Sequence, residues 1–181
     1  SMCVPMQRNE KLIGLIHVGF ERPFEIDEKE KGLLKEVAND LALAREKIKT
    51  DELLEKSEEQ YRLLFETMSQ GVVYQDKDGE IISTNPAAEE MLGLDLEQMK
   101  GRKSKDPRWK AVHEDGSEFP GEEHPSMVAL RKGEEVHDVV IGLFNPNKEH
   151  YTYLEVDPVP FFTHAEDQPY QVYTTFNDIT A

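Results

Sequence analysis

The sequence of 181 residues is poor in cysteine, in basic residues and in long apolar runs. Cys3 is the only cysteine, so no intrachain disulfide can form, which is typical of proteins in a reducing cytosol. No apolar run approaches the roughly 20 residues of a membrane helix, and the first residues lack the basic and apolar regions of a signal peptide. We therefore expect a cytoplasmic protein without a membrane span.

Positive charge is also scarce. Lys and Arg number 21 against 37 Asp and Glu, which gives a formal net charge of −16 at pH 7. Such an acidic surface repels phosphate backbones and anionic lipids, so we predict that the chain does not bind nucleic acid or a membrane surface. Hydrophobic residues make up 38% of the chain, which is enough for a packed core.

Patterns that indicate catalysis or a metal site are missing. The histidines lack the short spacing of a zinc site, and there is no Gly-rich phosphate loop or Ser–His–Asp grouping. Acidic residues do cluster in one stretch, where chance accounts for them in so acidic a chain: Glu114, Asp115, Glu118, Glu122 and Glu123. We predict that the chain has no catalytic residues and no metal site.

The first segment, residues 1–26, has the pattern of a β-hairpin. Residues 3–6 and 12–20 are predicted strands, and the polar residues 7–10 are the predicted turn. A lone hairpin is marginally stable in water, so these strands need a partner. Because an unpaired strand edge invites pairing, a second copy of the chain is one candidate.

The second segment, residues 27–68, is predicted to be one long helix of about 60 Å. Apolar residues recur there with the alternating three- and four-residue spacing of a coiled-coil seam: Leu34, Val37, Leu41, Ala44 and Ile48. The pattern breaks at residues 49–52 and resumes in a shifted register, which predicts a change in winding or a kink. We expect a parallel homodimer along this seam, and the alternative is a solvated linker helix.

The third segment, residues 69–181, alternates between strands and short helices. Strands are predicted at residues 71–76, 81–84, 136–144, 151–161 and 170–176, and short helices at residues 85–92, 94–100 and 125–131. Asp78-Gly79 suits a tight hairpin turn between the first two strands. Strands, then helices, then strands predict an α+β fold with an antiparallel sheet.

This third segment resembles a PAS domain, the sensor module of signalling proteins. The matching stretches are residues 71–81, Asn85-Pro86-Ala87-Ala88, Met91-Leu92-Gly93, residues 115–120, residues 153–156 and Asp178-Ile179-Thr180. The resemblance implies a five-stranded antiparallel sheet that encloses a pocket together with short helices. It also implies a helix after Thr180 that carries the signal to an effector.

The first segment resembles the end of a GAF domain, through residues 1–6, 12–16, Phe24 and 33–34. Together the resemblances imply a GAF remnant, a signalling helix and a PAS domain, cut from a multi-domain sensor of the two-component type. Its effector is a histidine kinase on this interpretation, and a diguanylate cyclase is the alternative. We expect a sensing and dimerising module, and the rival hypothesis is a ligand-free scaffold that only dimerises and spaces its neighbours.

The predicted pocket residues are mostly apolar, as in other ligand sites: Met91, Trp109, Phe119, Met127, Leu130, Ile141 and Tyr173. Arg102, Arg108 and His113 are the candidates that would bind an acidic ligand, and the irregular residues 102–124 are the candidate gate. The alternative is that these side chains are ordinary core.

The cofactor is left unknown by the sequence. The Asn-Cys-Arg context of flavin-binding PAS photoreceptors is missing, so we expect no flavin. Haem-binding PAS domains use a histidine on the helix before the third strand, and His124 only precedes that helix. We expect His124 to cap the helix or face solvent rather than to bind haem.

The chain ends with Asp178, Ile179, Thr180 and Ala181 directly after a predicted strand. Asp and Thr are typical helix-starting residues, because their side-chain oxygens accept hydrogen bonds from the first free N–H groups. We therefore predict that Asp178 and Thr180 mark the signal exit, and that the chain is cut from a longer protein.

Overall fold

The computed structural model describes residues 1–8, 11–19, 27–103, 106–163 and 168–180, apart from the side chain of Pro107. The predicted turn residues Asn9 and Glu10, as well as Phe24 and His164, lie outside the described residues. The chain forms two compact units, Ser1–Tyr61 and Arg62–Ala181. None of the described helices is long and apolar enough to cross a membrane.

The first unit contains an antiparallel hairpin of β1 (Met2–Arg8) and β2 (Lys11–Val18), followed by most of α1 (Glu28–Thr67). A reciprocal cap starts α1, since Asp27 Oδ1 accepts from Glu30 N at 2.7 Å and Glu30 Oε2 accepts from Asp27 N at 3.0 Å. The helix is continuous through residues 49–52. The predicted change of register therefore does not interrupt the helical hydrogen bonding.

The hairpin lies along one face of α1. Arg45 Nη1 donates to Ile13 O at 3.1 Å, and Arg8 Nε lies 2.8 Å from Glu46 Oε2. Ala38 and Ala42, one turn apart on the helix, are fully buried. The helix thus supplies the partner that an isolated hairpin needs.

The second unit is built on a five-stranded antiparallel sheet in the order β4-β3-β7-β6-β5. Its strands are β3 (Gly71–Asp76), β4 (Ile81–Thr84), β5 (Val139–Asn145), β6 (His150–Phe161) and β7 (Gln171–Asp178). The fold class is therefore α+β, as predicted. Strand β5 begins three residues later than predicted, after Asp138, which has a positive φ of 56°.

The helices of this unit follow β4 in the sequence and precede β5. They are α2 (Pro86–Leu92), α3 (Leu96–Met99) and α4 (Pro125–Lys132), with 3₁₀ turns at Pro107–Trp109 and Gly121–Glu123. Asn85 caps the start of α2, because its side chain accepts a hydrogen bond from Ala88 N. Gly93 caps the end of α2 in the left-handed region, with φ of 70°. Both α2 and α4 have proline at their first position. Proline lacks an N–H group, which costs nothing there because an N–H at the first position has no carbonyl partner within the helix.

The core lies on one face of the sheet. Alternate residues of β6 and β7 are buried, as the two-residue period of a strand requires. Leu154, Val156 and Phe176 join Trp109 and Phe119, which come from the stretch between α3 and α4, in one buried cluster. The helices and the irregular residues therefore cover the same face of the sheet.

Candidate functional site

A cavity of about 80 Å³ lies within this core. The sheet contributes most of its wall, through residues that share one face of the strands: Val73, Gln75, Ile81, Ile141, Leu143, Leu154, Val156, Thr174 and Phe176. Leu92, Trp109 and the first residues of α4, His124 to Ser126, complete it. Among these described lining residues none is Asp, Glu, Lys or Arg, so the cavity carries no fixed charge.

Trp109 is held in place by two contacts. Its indole Nε1 donates to Lys103 O at 3.0 Å, and the Arg102 guanidinium carbon lies 5.6 Å from the ring centroid. The second distance is typical of a cation–π contact. Arg102 thus packs on Trp109 and does not line the cavity, which leaves its charge outside.

His124 is 5% exposed, and its Nε2 lies 3.3 Å from Phe119 O. It makes no side-chain capping hydrogen bond to α4. The expectation that His124 caps the helix or faces solvent is therefore corrected, because the 3₁₀ turn before α4 directs the ring into the core. The same side chain also borders a second small pocket of about 110 Å³, lined by Asp106, Lys110 and Phe119 among others.

Three of the polar side chains in the cavity wall were not among the residues that we predicted from the sequence. Gln75, Ser126 and Thr174 are 2%, 5% and 6% exposed, respectively. The Gln75 amide is oriented by the turn between β3 and β4, since its Nε2 lies 3.5 Å from Gly79 O. A sequence signal does exist, because Gln75 and Thr174 each occupy the same strand face as neighbouring apolar residues.

The predicted pocket residues separate into several places. Trp109 and Ile141 line the cavity, whereas Phe119 lies beside it in the core and borders the second pocket. Met91 packs against the core and borders a surface groove with Met68 and Lys148. Met127 and Leu130 on α4 pack near Gly79 in the β3–β4 turn.

Two polar candidates and one aromatic candidate lie elsewhere. The His113 ring packs on Phe119 with centroids 4.1 Å apart. Arg108 is engaged by Asp106, whose carboxylate accepts from both Nε and Nη2 of Arg108. Tyr173 projects from the opposite face of the sheet, 5.2 Å from the Phe161 ring and 5.9 Å from the Tyr74 ring. Arg108 and His113 therefore have other partners, Asp106 and Phe119, and neither lines the cavity.

The predicted signal exit forms a defined turn. Asp178 Oδ1 accepts from Thr180 N at 2.9 Å, and Thr180 Oγ1 accepts from Tyr153 N at 2.9 Å. Burial acts to raise the pKa of Asp178, but the hydrogen bonds from Thr180 and the charge of Lys148 outweigh it and lower that pKa. The carboxylate is therefore held in its charged form at the end of β7.

The described residues contain no group of three or more His, Cys, Asp or Glu side chains that could hold a metal. In the predicted acidic stretch, Asp115 instead accepts hydrogen bonds from Ser117 N at 2.9 Å and Ser117 Oγ at 2.6 Å. That side chain thus stabilises a local turn.

Comparison with known proteins gives the class of this domain. Residues 59–124 match the family model described as a PAS domain. The chain is similar in structure to the PAS domain of a Colwellia psychrerythraea protein, with 22% identity and a TM-score of 0.52, over 67% of this chain and 96% of that chain. No curated protein sequence matches this chain.

Two further structures show the same fold. The PAS domain of an HTR-like protein from Haloarcula marismortui has 20% identity and a TM-score of 0.54, over 72% of this chain and 98% of that chain. A domain of the sensory box sensor histidine kinase/response regulator from Geobacter sulfurreducens has 18% identity and a TM-score of 0.50, over 69% and 96%. Residues 59–124 therefore belong to a PAS domain, and the second unit has the PAS fold.

Proposed function

We propose that this chain is the sensing and dimerising part of a cytosolic signalling protein. Its PAS core senses a small molecule and passes the change to an effector, for which a histidine kinase is our first candidate and a diguanylate cyclase the second. The observation that carries the proposal is the cavity in the core of the second unit, whose apolar wall includes a few buried polar side chains. Apolar sites with a few polar groups are typical of ligand binding.

The strands that line the cavity also lead to the proposed exit. Thr174 and Phe176 face the cavity, and the same strand β7 continues to the Asp178–Thr180 turn. On the neighbouring strand β3, Val73 and Gln75 face the cavity while Tyr74, between them, lies 6.1 Å from the ring of Phe65 at the end of α1. A ligand that displaces β7 would therefore move the Asp178–Thr180 turn, and one that displaces β3 would move the end of α1.

The proposed dimer uses the predicted seam on α1. Val37, Leu41 and Ile48 are 42%, 48% and 59% exposed, while Leu34 is partly buried and Ala44 is exposed. These side chains lie beside the helix face that the hairpin covers, so the hairpin leaves the stripe open. A second copy in parallel would cover it.

Flanking charges favour the parallel arrangement. With Leu41 at the first seam position of the heptad, Asp40 precedes that position, and Arg45 follows the other seam position, which is Ala44. In a parallel pair of helices, the residue directly before the first seam position lies next to the residue five positions later in the partner helix. Asp40 would then face the partner's Arg45, and this pair is attractive.

We propose further that the hairpin of β1 and β2 is the end of a GAF-like domain that precedes the signalling helix. Its support is the antiparallel strand pair followed by the exit helix α1. The division of the chain at residues 1–26, 27–68 and 69–181 remains a prediction.

Light scattering with size-exclusion chromatography tests the dimer. The chain is expected to be a dimer well above micromolar concentration, and Leu41→Glu is expected to give a monomer because it buries two charges in the seam. Leu43→Glu is the matched control, since Leu43 is 44% exposed but lies on the other side of the helix. A monomeric parent chain, or equal effects of both substitutions, would contradict the seam.

Native mass spectrometry of the freshly purified chain tests the sensing function. A stoichiometric extra mass supports a ligand-binding sensor. A clean mass of the polypeptide alone, together with a core that binds no small molecule in solution, xenon included, would favour the ligand-free scaffold that only spaces its neighbours.

A further inference from the structure

The side chain of Thr174 identifies the chemistry that the cavity can accept. Its hydroxyl is buried, the residue is 6% exposed, and Oγ1 has no hydrogen-bond partner within the described part of the chain. Thr174 also lines the cavity. A buried hydroxyl without a partner is unfavourable, so a ligand that supplies a partner recovers the missing interaction.

The polar part of the cavity wall is local. Thr174 is paired with Val73 on the adjacent strand, and Gln75 lies two residues further along, so Thr174 and Gln75 are diagonal neighbours on one face. His124 and Ser126, at the start of α4, face the same cavity, and α4 packs against β6 and β7. The remainder of the wall is apolar, including Ile141, Leu143 and Leu154 on β5 and β6.

Charge and size restrict the ligand further. No Lys, Arg, Asp or Glu occurs among the described lining residues, so the wall offers an ionised ligand no permanently charged partner. The cavity of about 80 Å³ is roughly half of the 150 Å³ that holds benzene in an engineered protein core. It therefore suits a ligand of about three or four heavy atoms.

We propose that the cavity binds a small uncharged molecule with one hydroxyl or carbonyl oxygen and a short apolar end. The oxygen pairs with the Thr174 hydroxyl, which can donate to a carbonyl or accept from an alcohol. The apolar end lies against the side chains of β5 and β6. This inference rests on the proposed sensing function and assigns the ligand class of the same cavity.

The test is a titration of the full chain, labelled at its methyl carbons and followed by NMR. The probes are acetone and propan-2-ol, with acetate as the charged control of similar size and xenon as the purely apolar control. Acetone, propan-2-ol or both are expected to shift the methyl signals of Ile141, Leu154 and Val156 saturably, whereas acetate leaves them unchanged. Ligands of this size reach dissociation constants of about 40 µM at best, so millimolar titrations are appropriate.

Two matched substitutions assign the hydrogen bond. Thr174→Val removes the hydroxyl in the cavity and is expected to weaken the polar probe about fivefold, with xenon binding unchanged. Thr152→Val is the control, because Thr152 is also a fully buried threonine whose Oγ1 has no partner among the described residues, but it does not line the cavity. Since each substitution removes an unsatisfied hydroxyl with little change in shape, both variants are expected to fold and to melt no lower than the parent chain.

The outcomes separate this inference from the proposed function. Three results would each overturn the ligand class. They are xenon binding without any effect of acetone or propan-2-ol, tight binding of acetate, and equal losses of affinity for the polar probe in the Thr174 and Thr152 variants. None of these results changes the oligomeric state set by the Leu41 seam. Failure of the dimer test would in turn leave the titration result standing.

Discussion

Replacing Asn85 by alanine tests whether one buried amide joins three parts of the PAS domain. Asn85 is fully buried, and its Oδ1 accepts from Val72 N at 2.8 Å and from Ala88 N at 3.0 Å. Its Nδ2 donates to Gln70 O at 2.9 Å. The amide thus connects strand β3, the first turn of α2 and the residue that precedes β3.

The expected loss follows from these three bonds. Removal of the helix cap costs about 1 kcal/mol, and each backbone group left buried without a partner costs about 1–3 kcal/mol. We expect Asn85→Ala to lower the free energy of unfolding by about 4 kcal/mol in total. For a unit of about 120 residues, each kcal/mol lowers Tm by about 4 °C, so Tm should fall by about 15 °C.

Thermal and urea unfolding followed by circular dichroism measure this loss. Asn147→Ala is the matched control, because Asn147 is exposed and its backbone N–H, which donates to Asn145 Oδ1, is retained. A free energy of unfolding for Asn85→Ala within about 1 kcal/mol of that of the parent chain would refute the reasoning. Such a small loss is less than the cost of removing the cap and leaving even one buried backbone group without a partner.

Two further predictions concern a glycine and an ion pair. Gly93→Ala should lower the free energy of unfolding, measured in urea, by about 2–3 kcal/mol. The reason is that φ at this position is 70° and the new Cβ would lie 2.1 Å from Asn145 Oδ1. An unchanged midpoint of urea unfolding would contradict this. Hydrogen bonds from the Arg108 side chain and backbone lower the pKa of Asp106 to about 2. Because this folded-state pKa is depressed, the stabilisation is present above about pH 4 and is lost as the pH falls towards 2. The titration midpoint of the Asp106 carboxyl carbon, followed by NMR, should lie near pH 2 and should rise in Arg108→Gln. A midpoint near pH 4 in the parent chain would count against the ion pair.

Local sequence patterns were sufficient for most elements of the fold. The Asp78-Gly79 turn placed strands β3 and β4 correctly, and Asn85-Pro86 and Gly93 placed both ends of α2. These features depend on the conformational preferences of residues close together in the chain. The long apolar repeat likewise predicted α1, although the register change at residues 49–52 did not interrupt the helix.

The site could be predicted only in part. Trp109 and Ile141 were expected at the cavity and line it, but Met91, Met127 and Leu130 were expected there on apolar character alone. Such character indicates burial and does not indicate which buried surface a side chain faces. Gln75 and Thr174 were missed because polar residues in strands are usually assigned to the solvent face.

The sequence by itself determined that β7 is a strand whose successive side chains point to opposite faces. It did not determine which face is covered, since that depends on where the helices and the irregular residues 102–124 pack. The tertiary structure placed Thr174 in the cavity and its neighbour Tyr173 among the aromatic rings on the other face. A strand period of two fixes the alternation, but only long-range packing decides which set of side chains becomes the core and which polar group is buried there.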